Sequence, residues 1–123
     1  MTATSLEPQP SELVSVAVSG VAPEIRVPAV GEIDSSSAPL MRKHLDAVLD
    51  GGVTELTVDL DGVTFLDSAG LCVLASAHRR AVAEDVTMRV LASSRAVIRP
   101  LEITGLWNLL GAERVEPGTA AVG

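Results

Sequence analysis

Apolar and polar residues alternate along the first part of the chain, and this two-residue period predicts strands with one buried face. Two segments show the alternation, LVSVAVS at 13–19 and EIRVPAV at 24–30. Pro28 weakens the second assignment, because a proline cannot donate to a strand ladder and is confined to edges and irregularities. Gly31 is expected to end this second strand.

The period changes to that of a helix after a serine-rich turn, GEIDSSSAP at 31–39. Ser36 or Ser37 is expected to cap this helix, and Pro39 suits its first turn, where a missing N–H costs nothing. The helix is predicted to run to about Leu49, because two glycines follow and glycine favours the C-terminal cap. Its predicted apolar stripe consists of Ala38, Met41, Leu45 and Val48.

Strands and helices then alternate along the chain. The predicted elements are a strand at 54–60, a helix at 68–83, a strand at 86–92, a helix within 93–107 and a short strand at 111–115. The predicted apolar face of the helix at 68–83 carries Leu71, Leu74, Ala75, His78 and Val82. Ser93 or Ser94 would cap the later helix, and Pro100 would break or kink it. This order predicts an α/β domain with right-handed crossovers and a partly parallel sheet.

Composition narrows the classes of function. Aromatic residues make up 2% of the 123-residue chain, so the platforms that bind single-stranded nucleic acid are missing. The net charge of −7 disfavours nucleic acid and anionic membranes as partners. Cys72 is the single cysteine and is expected to be a buried small residue, so no internal disulfide can form. Together with an N-terminus that lacks the features of a secretory signal, this predicts a cytoplasmic protein.

The chain is predicted to form one domain at 13–115, between flexible tails at 1–12 and 116–123. No apolar run approaches the ~20 residues of a membrane span. There is no CxxC or HxxxH motif for a metal and no glycine-rich phosphate loop for a nucleotide. No metal or cofactor is therefore predicted.

The segment FLDSAGL at 65–71 places a hydroxyl at the expected start of a helix. One interpretation is an N-cap, in which Asp67 or Ser68 accepts a hydrogen bond from the first turn, worth ~1 kcal/mol. Another is a phosphorylation site at Ser68, because the unpaired N–H groups and positive dipole end of a first turn suit a phosphate. Ala69 and Gly70 would leave this hydroxyl uncovered and open to a kinase. The two interpretations are compatible.

A serine nucleophile is a third interpretation, with weaker support. The G-x-S-x-G elbow of serine hydrolases is half matched, since Leu66 occupies its first glycine position. His78 follows Ser68 on the same helix at a distance of ~15 Å along the axis, too far for a Ser–His pair. His44 is expected to be solvated on its own helix.

Glu32 and Asp34 lie in the loop after the second predicted strand. Turn chemistry explains them on composition alone. In an α/β sheet, however, the loops that leave the carboxyl ends of parallel strands gather on one rim. If the strands before the two loops are parallel, Asp34 would join Asp67 and Ser68 there as an acidic patch around one hydroxyl.

Three segments together resemble the STAS domain of bacterial anti-sigma factor antagonists. They are GEIDSSSAP at 31–39, TVDLDGVTFLDSAGLCVLASAHRRA at 57–81 and LEITGLWNLL at 101–110. The most specific part is DLDGVTFLDSAGL, and the resemblance spans roughly residues 14–115. It implies a mixed sheet of four to five strands with helices packed mainly on one face.

The resemblance also implies a function. In this family the unphosphorylated antagonist binds an anti-sigma factor, which frees a sigma factor for RNA polymerase. The anti-sigma factor is often a serine kinase that phosphorylates the residue after the motif aspartate, which is Ser68 here, and a metal-dependent phosphatase reverses this step. Many members have a second serine where this chain has Ala69, so one hydroxyl remains in the turn. The implied partner surface consists of Glu32, Asp34, Asp67, Ser68, Ala69 and Gly70.

A protein of this kind is a binding module and kinase substrate, not an enzyme, and is expected to be a monomer or weak dimer. An alternative stays within the same fold. STAS domains also serve as scaffold subunits of stress-sensing assemblies and as accessory subunits of lipid transporters. In that alternative Ser68 would act as an N-cap without a phosphorylation switch.

Overall fold

The computed structural model describes residues 14–16, 19–21 and 24–117 of the chain. The predicted tail at 1–12 lies outside these residues, as does most of the predicted tail at 116–123. The domain boundaries therefore stay a prediction. Within the described ranges, no helix is both long enough and apolar enough to cross a membrane.

The described residues form six strands and four helices. The strands are β1 (Val14–Val16), β2 (Ser19–Val21), β3 (Glu24–Ile33), β4 (Glu55–Leu66), β5 (Thr87–Ala92) and β6 (Glu113–Arg114). The helices are α1 (Ala38–Asp50), α2 (Ser68–Ala83), α3 (Arg95–Ile103) and α4 (Leu106–Leu109).

All six strands belong to one mixed sheet in the order β1–β3–β4–β5–β6, with β2 also paired to β3. β3 to β6 are parallel neighbours, whereas β1 and β2 run antiparallel to β3. Each crossover moves the chain to the next strand in the same direction, and right-handed crossovers of this kind place their helices on one face. The predicted α/β class and mixed sheet are confirmed. The strand count exceeds four to five because β2, which overlaps the first predicted strand only at Ser19, is an additional short strand.

The prediction that Gly31 ends the second strand is wrong. β3 continues to Ile33, and Gly31 has a φ of 106°, in the left-handed region that glycine tolerates. The pairing register with β4 shifts between Gly31 and Glu32, and it also shifts just after Pro28. Gly31 and Pro28 therefore mark irregularities within a continuous strand.

β4 is longer than predicted, because it ends at Leu66 instead of Leu60. The segment expected to connect strand and helix is paired to β3, with Gly62 opposite Val30. Each register shift changes the face of the sheet on which the following side chains lie. The apolar alternation is therefore lost, and the sequence pattern does not indicate a strand in this segment. Because of this extension, only Asp67 separates the end of β4 from the start of α2.

The helices and the sheet share one aliphatic core, and the predicted stripe of α1 is buried there as expected. The predicted face of α2 is wrong in part, because Val82 is 62% exposed. The side of α2 that is buried carries Gly70, Val73, Leu74, Ala77 and Ala81. Most of these residues are small, which lets the helix lie close to the strands, whereas the sequence pattern favoured the larger apolar residues.

α3 passes through Pro100 and ends at Ile103, so the predicted break does not occur at the proline itself. Gly105, with a φ of 82°, then leads into the single turn α4. Ser94 occupies the N-cap position of α3 as predicted, but its hydroxyl makes no cap hydrogen bond. α3 borders the end of β4.

Candidate functional site

The two acidic motifs meet at one end of the sheet. β3 and β4 are parallel neighbours whose last paired residues are Ile33 and Leu66. The Asp67 amide donates a hydrogen bond to the Ile33 carbonyl at 3.1 Å, which connects the start of α2 to the end of β3. Asp34 directly follows Ile33 and therefore lies on the same rim as Asp67 and Ser68, as parallel strands require.

Asp67 caps α2 and leaves the Ser68 hydroxyl exposed. One carboxylate oxygen of Asp67 accepts hydrogen bonds from the backbone N–H groups of Ala69 at 2.9 Å and Gly70 at 3.3 Å. Of the two predicted N-cap candidates, Asp67 is thus the cap and Ser68 is the first helical residue. Ser68 is exposed, and its hydroxyl has no hydrogen-bond partner among the described residues. Its side chain is not needed to hold the helix.

Gly70 packs the start of α2 against the sheet. It is buried, and a Cβ atom at this position would lie 2.4 Å from Leu66 Cδ1 and 2.8 Å from Ile33 Cγ2. Glycine therefore allows α2 to begin directly against the ends of β3 and β4. Gly70 has no side chain that could cover the exposed Ser68 hydroxyl, and its contact with a partner stays a prediction. Ala69 is partly exposed, and its partner contact stays a prediction.

A serine-rich turn holds Asp34 in its charged form. The Ser36 hydroxyl donates to the Asp34 carboxylate at 2.7 Å, and the Ser36 amide donates to it at 2.9 Å. These bonds, with further ones from Ser37, hold the pKa of Asp34 below its usual value. Asp34 therefore contributes a fixed negative charge to the rim at neutral pH.

Ser37 ties the same turn to β3. It occupies the N-cap position of α1 as predicted, but its side chain makes no cap hydrogen bond. The buried hydroxyl of Ser37 donates to the Glu32 carbonyl at 2.8 Å and accepts from the Asp34 amide at 3.0 Å. Because this hydroxyl is engaged on both sides, it fixes the orientation of the turn that carries Asp34.

Glu32 completes the acidic rim. It is exposed and pairs in register with Phe65 of β4, whose side chain is 47% exposed. Glu32, Asp34 and Asp67 thus place three carboxylates on the rim that carries Ser68. The sequence interpretation missed the neighbouring apolar surface between Phe65 and α3. The spacing of Arg95, Arg99 and Ile103 on α3 is the signal that could have revealed it, since residues four apart share a helix face.

His78 lies ~15 Å from Ser68 along α2, too far to act as the base of a Ser–His pair. The prediction that His44 is solvated is wrong, because the residue is partly buried. Burial and the charge of Lys43 lower its pKa. Cys72 is exposed, so the prediction that it is buried is also wrong. The described part of the chain holds no group of three or more His, Cys, Asp or Glu residues that could bind a metal.

Comparison with known proteins identifies the family. The family model of the STAS domain matches residues 15–119 of the sequence, and the chain therefore belongs to the STAS family. The anti-sigma-B factor antagonist of Bacillus subtilis is 31% identical over 87 residues, which cover 71% of this chain and 79% of that protein. The anti-sigma-F factor antagonist RsfB of Mycobacterium tuberculosis is 33% identical over 76 residues, which cover 62% of each protein.

Solved structures show the same fold. The crystal structure of an anti-sigma factor antagonist from Mycobacterium paratuberculosis superimposes with a TM-score of 0.76 at 29% identity, covering 83% of this chain and 86% of that one. The structure of the anti-sigma factor antagonist SpoIIAA in its unphosphorylated form gives a TM-score of 0.70 at 19% identity, covering 87% of this chain and 93% of that one. The predicted STAS fold is thereby confirmed.

Proposed function

We propose that this protein is an anti-sigma factor antagonist, which binds an anti-sigma factor, frees a sigma factor and is switched off by phosphorylation of Ser68. The anti-sigma factor is the serine kinase, and a metal-dependent phosphatase restores the binding form. The protein is a binding module and not an enzyme, and it acts in the cytoplasm as a monomer or weak dimer. The relatives named anti-sigma factor antagonists support this proposal.

The observation that carries the proposal is the position of the Ser68 hydroxyl. Because Asp67 provides the N-cap, the Ser68 side chain is exposed at the first turn of α2 without a structural task there. A phosphate on this hydroxyl would meet the positive end of the helix dipole, which favours a negative charge. In the scaffold alternative Ser68 would serve as the cap, whereas Asp67 occupies that position.

The switch acts through charge at the binding surface. A phosphate adds about −1.5 to −2 charge at neutral pH. On a rim that already carries Glu32, Asp34 and Asp67, this charge would be enclosed in an interface next to other negative charges. A loss of ~3 kcal/mol of binding free energy weakens an interface more than a hundredfold. No change of fold is required.

Mass spectrometry tests the position of the phosphate. The protein is incubated with ATP and, one at a time, with the purified serine-kinase anti-sigma factors encoded in the same genome. The expected product carries one phosphate on Ser68, and the Ser68→Ala variant stays unmodified. A phosphate on another residue would overturn the assignment of the site.

Binding measurements test the switch itself. Ser68→Ala should bind the anti-sigma factor like the parent protein, and Ser68→Asp should lose most of its affinity. Thr54→Asp is the matched control, because Thr54 is exposed and lies just before β4, at the opposite end of that strand from the rim. Equal affinities for Ser68→Asp and Thr54→Asp would contradict a switch at Ser68.

A further inference from the structure

A groove of about 520 Å³ lies beside the rim, between the end of β4 and α3. The lining residues that matter here are Phe65, Leu66, Arg95, Arg99 and Ile103. Phe65 and Leu66 immediately precede Asp67 and Ser68 in the chain. The groove is therefore continuous with the surface that surrounds the Ser68 hydroxyl.

Large apolar side chains at this groove are exposed to solvent. Ile103 is 71% exposed and Phe65, the single phenylalanine of the chain, is 47% exposed. Exposed apolar groups that cluster in a groove mark a contact surface, and aromatic residues are enriched where proteins bind each other. Covering these two side chains would remove apolar surface from water and so favour association.

The groove also carries positive charge. Arg95 and Arg99 are exposed one helical turn apart, and neither forms an ion pair or hydrogen bond with another described residue. Arg26, Arg80 and Arg89, in contrast, each pair with a carboxylate. In a chain with a net charge of −7, the two guanidinium groups form a local positive patch beside an acidic rim.

We propose that this groove binds an apolar segment of the anti-sigma factor that also carries carboxylates. Its apolar side chains contact Phe65 and Ile103, and its carboxylates pair with Arg95 and Arg99. The planar guanidinium group suits such pairs because it can bind a carboxylate through two parallel hydrogen bonds. This inference rests on the proposed function, since the groove adjoins Ser68. The contacts in the groove then give specificity for the partner, while the phosphorylation state of Ser68 controls whether the two proteins bind.

Calorimetric titration tests the groove with the purified anti-sigma factor kinase that modifies Ser68. Ile103→Asp and the double variant Arg95→Glu, Arg99→Glu are each expected to bind at least about tenfold more weakly than the parent protein. Added salt should weaken binding of the parent more than binding of the double variant, because the attraction between opposite charges is screened.

Two variants serve as controls. The double variant Arg95→Lys, Arg99→Lys keeps both positive charges and should retain most of the affinity. Arg79→Glu reverses one charge at an exposed position of α2 outside the groove, half the change that the double variant makes, and should bind like the parent. Thermal unfolding of each variant shows whether a weaker interaction reflects a loss of folded protein.

Parent-like affinity for both groove variants, while Ser68→Asp still loses binding, would overturn the inference and leave the proposed function standing. If no anti-sigma factor binds the parent protein, the proposed function fails and the groove assignment fails with it. A dimer of the isolated protein that dissociates in Ile103→Asp, seen by sedimentation, would assign the groove to a second copy and would also overturn the inference.

Discussion

Replacing Gly70 with alanine should destabilise the protein, although alanine is the better helix former. A Cβ atom at this position would lie 2.4 Å from Leu66 Cδ1 and 2.8 Å from Ile33 Cγ2, well inside normal contact distances. Ile33 is fully buried and Leu66 is 4% exposed, so neither side chain can move into solvent to make room.

The size of the effect follows from two opposing contributions. Overpacking of a close-packed core costs about 1–3 kcal/mol, and two simultaneous contacts below 3 Å put this position in the upper part of that range. Alanine recovers up to about 1 kcal/mol through its helix propensity and its smaller unfolded-state entropy. The net expectation for Gly70→Ala is a loss of about 1–2 kcal/mol in the free energy of unfolding.

Urea unfolding of the parent and variant measures this loss. Gly51→Ala is the matched control, because Gly51 has a φ of −82° and a Cβ there would come no closer than 3.3 Å to its neighbours. The control should change stability by less than about 0.5 kcal/mol. If Gly70→Ala is as stable as Gly51→Ala, the close approach of α2 to β3 and β4 is not what requires glycine.

Three further predictions concern the cap, the buried ion pair and the pH dependence. Asp67→Ala should lower the free energy of unfolding by ~1 kcal/mol while Asp67→Asn retains most of it, and equal losses would argue against capping. Arg26→Ala removes the guanidinium 2.7 Å from the buried Asp59 carboxylate. Because the Arg26 side chain is 30% exposed and water can partly replace it, the cost in urea unfolding should be about 2–3 kcal/mol, less than the ~3–5 kcal/mol of a fully buried pair. Adding Asp59→Asn should recover part of that loss, and strict additivity would contradict the pairing. Burial and the charge of Lys43 lower the pKa of His44 below its usual value of 6.5 in the folded protein. Because the unfolded state therefore binds the proton more readily, the free energy of unfolding should fall as the pH drops through 6.5. His44→Gln should flatten this fall between about pH 7.5 and about pH 5.5.

Local patterns were sufficient to predict the order of the longer strands and helices and a partly parallel sheet. That the two acidic loops meet followed only on the condition that their strands are parallel, which β3 and β4 are. The end of β4 could not be predicted, because the irregular register with β3 interrupts the apolar alternation before Leu66. The predicted strand end at Gly31 is wrong for a related reason. Glycine serves turns and strand bulges alike, and only the pairing with the neighbouring strand shows that Gly31 lies at an irregularity within a strand.

At the site, the candidate hydroxyl and its neighbouring acids could be identified from residue types, but their division of tasks could not. Asp67 and Ser68 are both good N-cap residues, and the backbone geometry of the turn decides that Asp67 takes the role. The residue types predict that Gly70 gives a kinase access to Ser68, and its contacts with residues on two strands supply a second, structural reason for glycine. Such tertiary contacts leave no local trace in the sequence.

The most direct test of the switch compares the same protein before and after modification. The chain is phosphorylated at Ser68 by the anti-sigma factor kinase found to modify it, purified, and titrated calorimetrically with that anti-sigma factor beside the unphosphorylated form. We expect the dissociation constant to rise more than about a hundredfold, the equivalent of ~3 kcal/mol, while both forms keep the same fold by NMR. Equal dissociation constants for the two forms would contradict the proposal that Ser68 controls binding.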